Sequence, residues 1–453
     1  MRVAARLGLA AALAALAAAP GARAADPAAA TRTPIRHVVF LMQENHSFDN
    51  YFGTYPGVNG IPSGTCMPVD PRSHTSRACV TPFSIGDRPA TDLSHNVRTF
   101  RSEYRGGQMD GFVSTFRREG VHTDLAMGHY VESDLPYYWN VAHDYVLFDR
   151  FFTSAAGGSI WNHMFWVTGT PGNFKEDVLP TARDGFGKLP TIFDRLQAKG
   201  ISWKFYVQNY DPRITYRSDV LGDRGSQVVW VPLLDYARYI DSPELRSHIV
   251  DLSQYYVDLR NGTLPAVAYI APSGSSEHPP GRIQAGERFV RSLITELMRS
   301  SSWQSSAFLW SYDDWGGWYD HVRPPKVDAY GYGFRGPALL VSPYARRGFV
   351  DDTTLDFTSV LKFIEQNWGL APLARRDARA NSIAGAFDFS RPPRPPQLLA
   401  ADFRPPRYTP PKSAALYPAY GAAIAVALAA LGAAALSSRR SRWSLRRLRR
   451  SVS

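Results

Sequence analysis

Short apolar runs alternate along the middle of the chain with segments whose apolar residues recur every three or four positions. The runs Ile35 to Met42 (IRHVVFLM), Ile201 to Val207, Leu264 to Ile270, Ala307 to Tyr312 (AFLWSY) and Ala338 to Ser342 are rich in β-branched and aromatic residues and bounded by turn formers. Such runs predict strands buried on both faces. The segment Ile283 to Arg299 places Phe289, Val290, Leu293, Ile294, Leu297 and Met298 on one stripe, and Leu355 to Asn367 does the same with Phe357, Val360, Leu361 and Ile364. Both predict amphipathic helices. A third helix, Thr191 to Lys199, is closed by Gly200, and a fourth is expected over Ser159 to Val167. Strands alternating with helices predict an α/β domain around a mostly parallel sheet.

The two ends follow a different pattern. Arg2 and Arg6 precede an apolar run from Leu7 to Ala19, and Ala22-Arg23-Ala24 offers a small-x-small cleavage site. Residues 1–24 therefore read as a secretory signal. Leu416 to Leu436 is an uncharged apolar segment, long enough as a helix to cross a hydrocarbon core of about 30 Å. Tyr417 and Tyr420 mark its outer end, with Trp443 near the inner one. Seven arginines follow it within the tail 437–453, the flank expected on the cytoplasmic side. Residues 388–415 are proline-rich and read as a semi-rigid stalk, so 30–387 is expected to be the catalytic domain. The expectation is an exported domain anchored in the cell membrane by a C-terminal helix.

Charge fits that reading. The 453 residues carry a formal +11, of which seven charges lie in the tail and three are Arg2, Arg6 and Arg23, so the remainder carries +1. The basic balance reflects targeting, and no nucleic-acid partner is expected. Cys66 and Cys79, the only cysteines, sit close together in a Pro/Ser/Thr-rich loop. Outside the cytoplasm they are expected to pair.

Three polar clusters follow predicted strands, where open α/β sheets gather ligands. Ile35–Met42 leads into Gln43-Glu44-Asn45-His46, Ala307–Tyr312 into Asp313-Asp314, and Leu264–Ile270 into Glu277-His278-Pro279-Pro280. If these strands are parallel neighbours, Glu44, Asn45, Asp313, Asp314 and His278 share one rim. Carboxylates with an amide oxygen suit one divalent ion, Mg, Ca, Mn or Zn. Taken singly, each acid reads better as a helix cap or loop carboxylate, and the metal reading rests on the shared rim. Gly157-Gly158-Ser159 opens the helix Ser159–Val167, and free N–H groups there suit a phosphate close to the Ser159 hydroxyl, although an ordinary N-cap serine has the same pattern.

The segments HVVFLMQENHSFDNYFG (37–53), Asp92-Leu-Ser-His95, Gly107-Gln-Met-Asp-Gly111, Met127-Gly-His-Tyr130, Asp149-Arg-Phe-Phe152, Ser159-x-x-Asn162-His163, Glu277-His-Pro-Pro280 and YDDWGGWYDHV (312–322) occur in order over about residues 35 to 380. Together they resemble the phosphoesterase family of bacterial non-specific phospholipases C and related acid phosphatases. The resemblance implies an alkaline-phosphatase-like three-layer α/β/α fold and hydrolysis of phosphate esters through a phosphoserine. It implies Glu44, Asn45, Asp313, Asp314 and Ser159 as metal ligands. Ser159 is then the nucleophile, with His95 and His278 acting on the transferring phosphoryl group or leaving group. Asn162 and His163 would contact phosphate, and His321 is similar to a family histidine of unassigned role. Many phospholipase C relatives have a threonine nucleophile followed by Pro-Asn-Arg. Ser-x-x-Asn-His looks more like the acid-phosphatase branch, and Asp314 stands where many relatives carry glutamate. The substrate is thus either a phosphomonoester or a phospholipid headgroup of phosphatidylcholine type. The alternative from another class is a non-catalytic cell-surface binding protein on the same fold.

Overall fold

The computed structural model describes residues 30–86, 90–121, 123–218 and 225–399. Residues 1–24, read as a signal, the apolar segment 416–436 and the tail 437–453 lie outside the described residues. Within them, no helix is long and apolar enough to cross a membrane.

Eight strands form the central sheet: β1 His37–Gln43, β2 Val146–Phe148, β3 Trp203–Val207, β4 Ile249–Asp251, β5 Val267–Ala271, β6 Ser306–Tyr312, β7 Ala338–Val341 and β8 Phe349–Asp351. Their order is β8-β2-β7-β6-β1-β5-β3-β4. β1 lies parallel between β5 and β6, and β3 and β4 continue the parallel set. β7, expected as one more strand of the set, instead runs antiparallel to both β6 and β2. The sheet is therefore mostly parallel. β1 and β6 are buried along nearly their whole length, which is why they read as unbroken apolar runs.

The helices used below are α1 Phe48–Phe52, α2 Val97–Tyr104, α3 Phe112–Arg118, α4 Pro136–Asp144, α5 Ser159–Thr168, α6 Ile192–Ala198, α7 Ile283–Arg299 and α8 Phe357–Trp368. They cover both faces of the sheet. Phe40, Tyr269 and Leu309 are paired across three strands and so share a face. On that face Phe40 meets Trp166 of α5 and Phe357 of α8, and Tyr269 meets Phe193 of α6. Trp310 follows Leu309, so it points the other way. There it packs on Tyr138 of α4 at 5.4 Å between centroids. α6 carries the expected end signals: a capping box from Thr191 to Asp194, and Gly200 with φ +68°.

Cys66 and Cys79 are paired, with Cα atoms 5.3 Å apart. The first part of the proline-rich segment, read as a semi-rigid stalk, makes contacts with the domain. From Asp388 to Leu399 it lies on the domain. The Asp388 amide donates to the Tyr344 carbonyl (2.8 Å), and the Arg394 guanidinium donates to the Asp144 carbonyl (3.0 Å). Trp303 Nε1 donates to the Arg394 carbonyl, and Leu399 is buried. Prolines cannot join a ladder, but an arginine with several acceptors in reach and a buried leucine dock the chain all the same. The remainder of that segment lies outside the described residues.

Candidate active site

Because β1 and β6 are parallel neighbours in register, with Gln43 opposite Tyr312, their next residues emerge side by side. The Asp313 amide donates to the Gln43 carbonyl (3.0 Å), and the Asn45 amide donates to Asp313 Oδ1 (3.1 Å). Asn45 has φ +63°, a conformation asparagine tolerates better than most residues. Gly316 packs against it so closely that an added Cβ would lie 2.2 Å from the Asn45 carbonyl oxygen. From the other side β5 brings the segment 276–278, and the Glu44 amide donates to the Ser276 carbonyl (2.9 Å).

Glu44, Asn45, Asp313 and Asp314 are all buried to 1% exposure or less. Both carboxylate oxygens of Glu44, the amide oxygen of Asn45 and Oδ2 of Asp313 have no hydrogen-bond partner among the protein groups. Burial, then the neighbouring Asp313, pushes the carboxyls of Glu44 and Asp314 well above the usual range. Ser159 reaches this cluster from α5, its hydroxyl donating to Asp314 Oδ2 at 3.3 Å.

His163 is one turn on. Its Nδ1 faces the Ser159 carbonyl at 2.8 Å; a carbonyl only accepts, so that nitrogen carries the proton. Nε2 is then a lone pair, 3.4 Å from Glu44 Oε1. Burial lowers the His163 pKa, which keeps the ring neutral. A lone-pair nitrogen facing a carboxyl in a buried site needs a shared proton or a cation between them. Glu44, His163 and Asp313 bring donor atoms within 4.8 Å of one another. The residues present therefore fit a divalent ion, and His163 joins the candidate donors instead of standing on the phosphate side.

His95 and His278 face each other with ring centroids 6.0 Å apart. Each directs Nδ1 to a main-chain carbonyl, His95 to Leu93 (2.7 Å) and His278 to Pro279 (2.6 Å). Their Nε2 atoms remain for the site, and that of His95 lies 3.3 Å from Asn45 Nδ2. Both rings are partly exposed.

Two expected site residues are engaged elsewhere. The Asn162 amide is used up on the loop before Ser159: Oδ1 accepts from the Ala155 amide (2.8 Å), and Nδ2 donates to the carbonyls of Gly157 (3.2 Å) and Gly158 (3.0 Å). It shapes the turn and has nothing left for phosphate. His321 pairs with Asp49 (2.7 Å) and Asn59 (3.1 Å) in a separate ionic cluster, and none of its contacts is with the Glu44–Asp313 group.

One residue here is missed by the sequence reading, and a second, Glu277, is named there without its role. Asp177 bridges the start of α5, accepting from the amides of Gly158 (2.5 Å) and Trp161 (2.8 Å). It replaces the cap that Gly158 cannot supply. Nothing in a polar loop marks such a residue in advance. Glu277 lies within a quoted motif, yet its role is visible only in three dimensions. It accepts from Tyr51 (2.5 Å), Tyr138 (2.5 Å), Tyr312 (2.7 Å) and Gln43 (3.0 Å). Burial, opposed by the tyrosine hydroxyls, holds it at about 7. This anchor fixes the backbone just before His278. It also requires glycine at 286, where a Cβ would lie 2.1 Å from the Glu277 side chain.

The Phosphoesterase family pattern matches residues 35–371, which include every residue of this site. The chain belongs to the Phosphoesterase family. Phospholipase C A of Mycobacterium tuberculosis is 28% identical over 425 residues, 80% of this chain and 78% of that protein. Non-specific phospholipase C6 of Arabidopsis thaliana is 27% identical over 428 residues, 84% of this chain and 78% of its own. Among solved structures, an alkaline phosphatase superfamily protein from Vibrio parahaemolyticus aligns at 11% identity and a TM-score of 0.37 over 80% of this chain and 76% of that one. This family member is a hydrolase of phosphoester bonds.

Proposed function

We propose that this phosphoesterase cleaves its ester by attack of the Ser159 hydroxyl on phosphorus, leaving a phosphoserine that water then hydrolyses. The observation that carries the reading is the approach of Ser159 Oγ to Asp314 Oδ2 (3.3 Å) beside the unpartnered oxygens of Glu44, Asn45 and Asp313. Glu44, Asn45, Asp313, Asp314 and Ser159 would hold the ion, with His163 Nε2 as a further donor. When bound, a divalent ion would lower the pKa of the serine hydroxyl and offset charge on the phosphoryl oxygens.

The chain's own groups supply the rest. Asp314 accepts the hydroxyl hydrogen bond and orients Oγ. The Ser159 and Ile160 amides at the start of α5 offer donors to a phosphoryl oxygen. His95 and His278 present Nε2 from the open side of the site, where one can protonate the departing alkoxide and accept a proton from the attacking water. Asn162 and Asp177 hold the turn and the helix start that aim Oγ.

The fold we infer is alkaline-phosphatase-like, supported by the mostly parallel sheet with helices on both faces. For the substrate, the phospholipase C relatives support a phospholipid headgroup, while Ser-x-x-Asn-His supports a phosphomonoester. Export and tethering rest on the signal-like residues 1–24 and on the apolar segment 416–436 with its arginines. The test sets a soluble chromogenic phosphomonoester beside a phosphatidylcholine dispersion, each with metal or chelator. Ser159→Ala is expected to lower turnover of the preferred ester by at least about 10³-fold. Retained turnover in the purified variant would overturn the assignment.

A further inference from the structure

An open groove of about 760 Å³ has Arg72, Arg98, Arg101, Arg105 and Arg118 in its lining. Two of these arginines come from α2, and Arg105 caps its C-terminus. α2 buries Thr99, Phe100 and Glu103, and Arg98 and Arg101, three positions apart, share its exposed side. Arg72 arrives from the loop before Cys79, and Arg118 from the end of α3. Arg72, Arg98, Arg101 and Arg118 are exposed.

The groove is poorly neutralised. Arg105 pairs with Asp110 (2.6 Å). Arg118 donates to the Ser114 and Thr115 hydroxyls of its own helix and has Asp70 and Glu119 in its neighbourhood. Among the described residues, no carboxylate stands within ion-pair distance of Arg72, Arg98 or Arg101. Burial lowers the Arg118 pKa, and repulsion from Arg72 and Arg105 lowers it further. Four arginines with no ion pair among the described residues, gathered on one open surface, suit an external anion.

The same helix is tied to the catalytic rim at both ends. His95 directly precedes its N-cap, Asn96. Glu103 accepts from Trp315 Nε1 (2.7 Å), and Trp315 follows Asp314 in the chain. The helix that carries Arg98 and Arg101 therefore begins beside His95 and is anchored next to Asp314. At the end of α3, Val121 is 45% exposed, an apolar side chain three residues beyond Arg118. Basic residues spread over three elements, with an exposed apolar neighbour, suit an extended anionic interface better than a single small anion.

We propose that this arginine groove is a docking surface for a bilayer bearing anionic phospholipid headgroups, and that it sets the mouth at His95 and His278 against the lipid. The proposal rests on the lipid branch of the function proposed above, but binding can be read without turnover.

The experiment uses the full-length chain carrying Ser159→Ala, mixed with vesicles of phosphatidylcholine alone or with phosphatidylglycerol added. Arginines are modified with phenylglyoxal and located by mass spectrometry. Arg98, Arg101 and Arg118 are expected to react at least about fivefold more slowly with the anionic vesicles only, and high salt should erase the difference. In a chain with Ser159 intact, Arg98→Gln/Arg101→Gln/Arg118→Gln should hydrolyse a soluble phosphomonoester at the original rate, which also reports folding. Its turnover of lipid in anionic vesicles should fall on the order of a hundredfold. Equal modification rates with both vesicles would overturn the proposal. So would protection by soluble inositol hexakisphosphate without protection by vesicles, which would assign the groove to a soluble polyanion. Hydrolysis surviving in Ser159→Ala would instead sink the serine mechanism and leave the footprint to be judged separately.

Discussion

Two buried acidic clusters lie a few residues apart in the chain, and they answer the same electrostatic problem in opposite ways. Asp49, Asp149 and Asp320 surround Arg335, whose guanidinium reaches Asp49 Oδ1 (3.1 Å), Asp149 Oδ1 (3.0 Å) and Asp320 Oδ1 (3.0 Å). The same guanidinium lies 4.4 Å over the Phe48 ring, and His321 closes the group. Glu44, Asp313 and Asp314 are equally buried but have no such cation, and the oxygens of Glu44 are unpartnered. Asp49, Asp320 and His321 also bring donor atoms together as metal ligands would. There, however, the place of the ion is already taken by an arginine side chain. A buried charge group that neutralises itself is architecture; one that does not is waiting for a ligand.

The largest effect should come from spoiling the unneutralised cluster. Asp313→Asn is expected to cut kcat/KM by about 10³-fold or more while the chain stays folded. In chelator its melting temperature should hold or rise, because one unpaired buried charge has gone. A folded Asp313→Asn enzyme with normal turnover would end the distinction between the clusters.

Removing the built-in cation should do the reverse. Arg335→Met strands three carboxylates, and urea unfolding should show a loss of about 3–5 kcal/mol. A loss below about 1 kcal/mol would mean the guanidinium contributes little. These two variants also show what the sequence could reveal. Glu44, Asp313 and His278 were legible because each directly or closely follows an apolar run, and parallel strands carry such positions to a common edge. Arg335 and its partners were not, since Arg335 and Asp49 are separated by 286 positions and no local pattern links them. The same logic divides the fold. β1 and β6 stand out as long apolar runs, whereas β2, β4 and β8 have three residues each and no visible period. The antiparallel course of β7 could not be read because direction leaves no mark on composition. Asn162 was singled out by the resemblance of Ser-x-x-Asn-His to the family, but its role as a latch for the turn shows only in the fold.

A divalent ion should then separate the clusters by ligation. Adding Mg, Ca, Mn or Zn at about a hundred times its Kd should stabilise the protein by about 2.7 kcal/mol, seen as a rise in melting temperature. Glu44→Gln should abolish the rise, and Asp49→Asn should lower overall stability while leaving the rise intact. A rise lost in Asp49→Asn but kept in Glu44→Gln would reverse the assignment of the two sites.

The smallest expected effect concerns the histidine of the self-neutralised cluster. Burial opposes protonation of His321, but the Asp49 carboxylate, 2.7 Å away and hydrogen-bonded to it, outweighs burial and raises the pKa. A raised pKa in the folded chain means that the charged ring stabilises the fold. That contribution is complete below the unfolded value of about 6.5 and fades as pH rises through the folded value. The ring is partly open to solvent, so the stabilisation should be no more than about 1 kcal/mol. Urea unfolding of the original chain and of His321→Gln should therefore differ most near pH 6, with the gap narrowing towards pH 9. A gap that widens with pH would show that the ring is held neutral, leaving Arg335 as the only cation among those carboxylates.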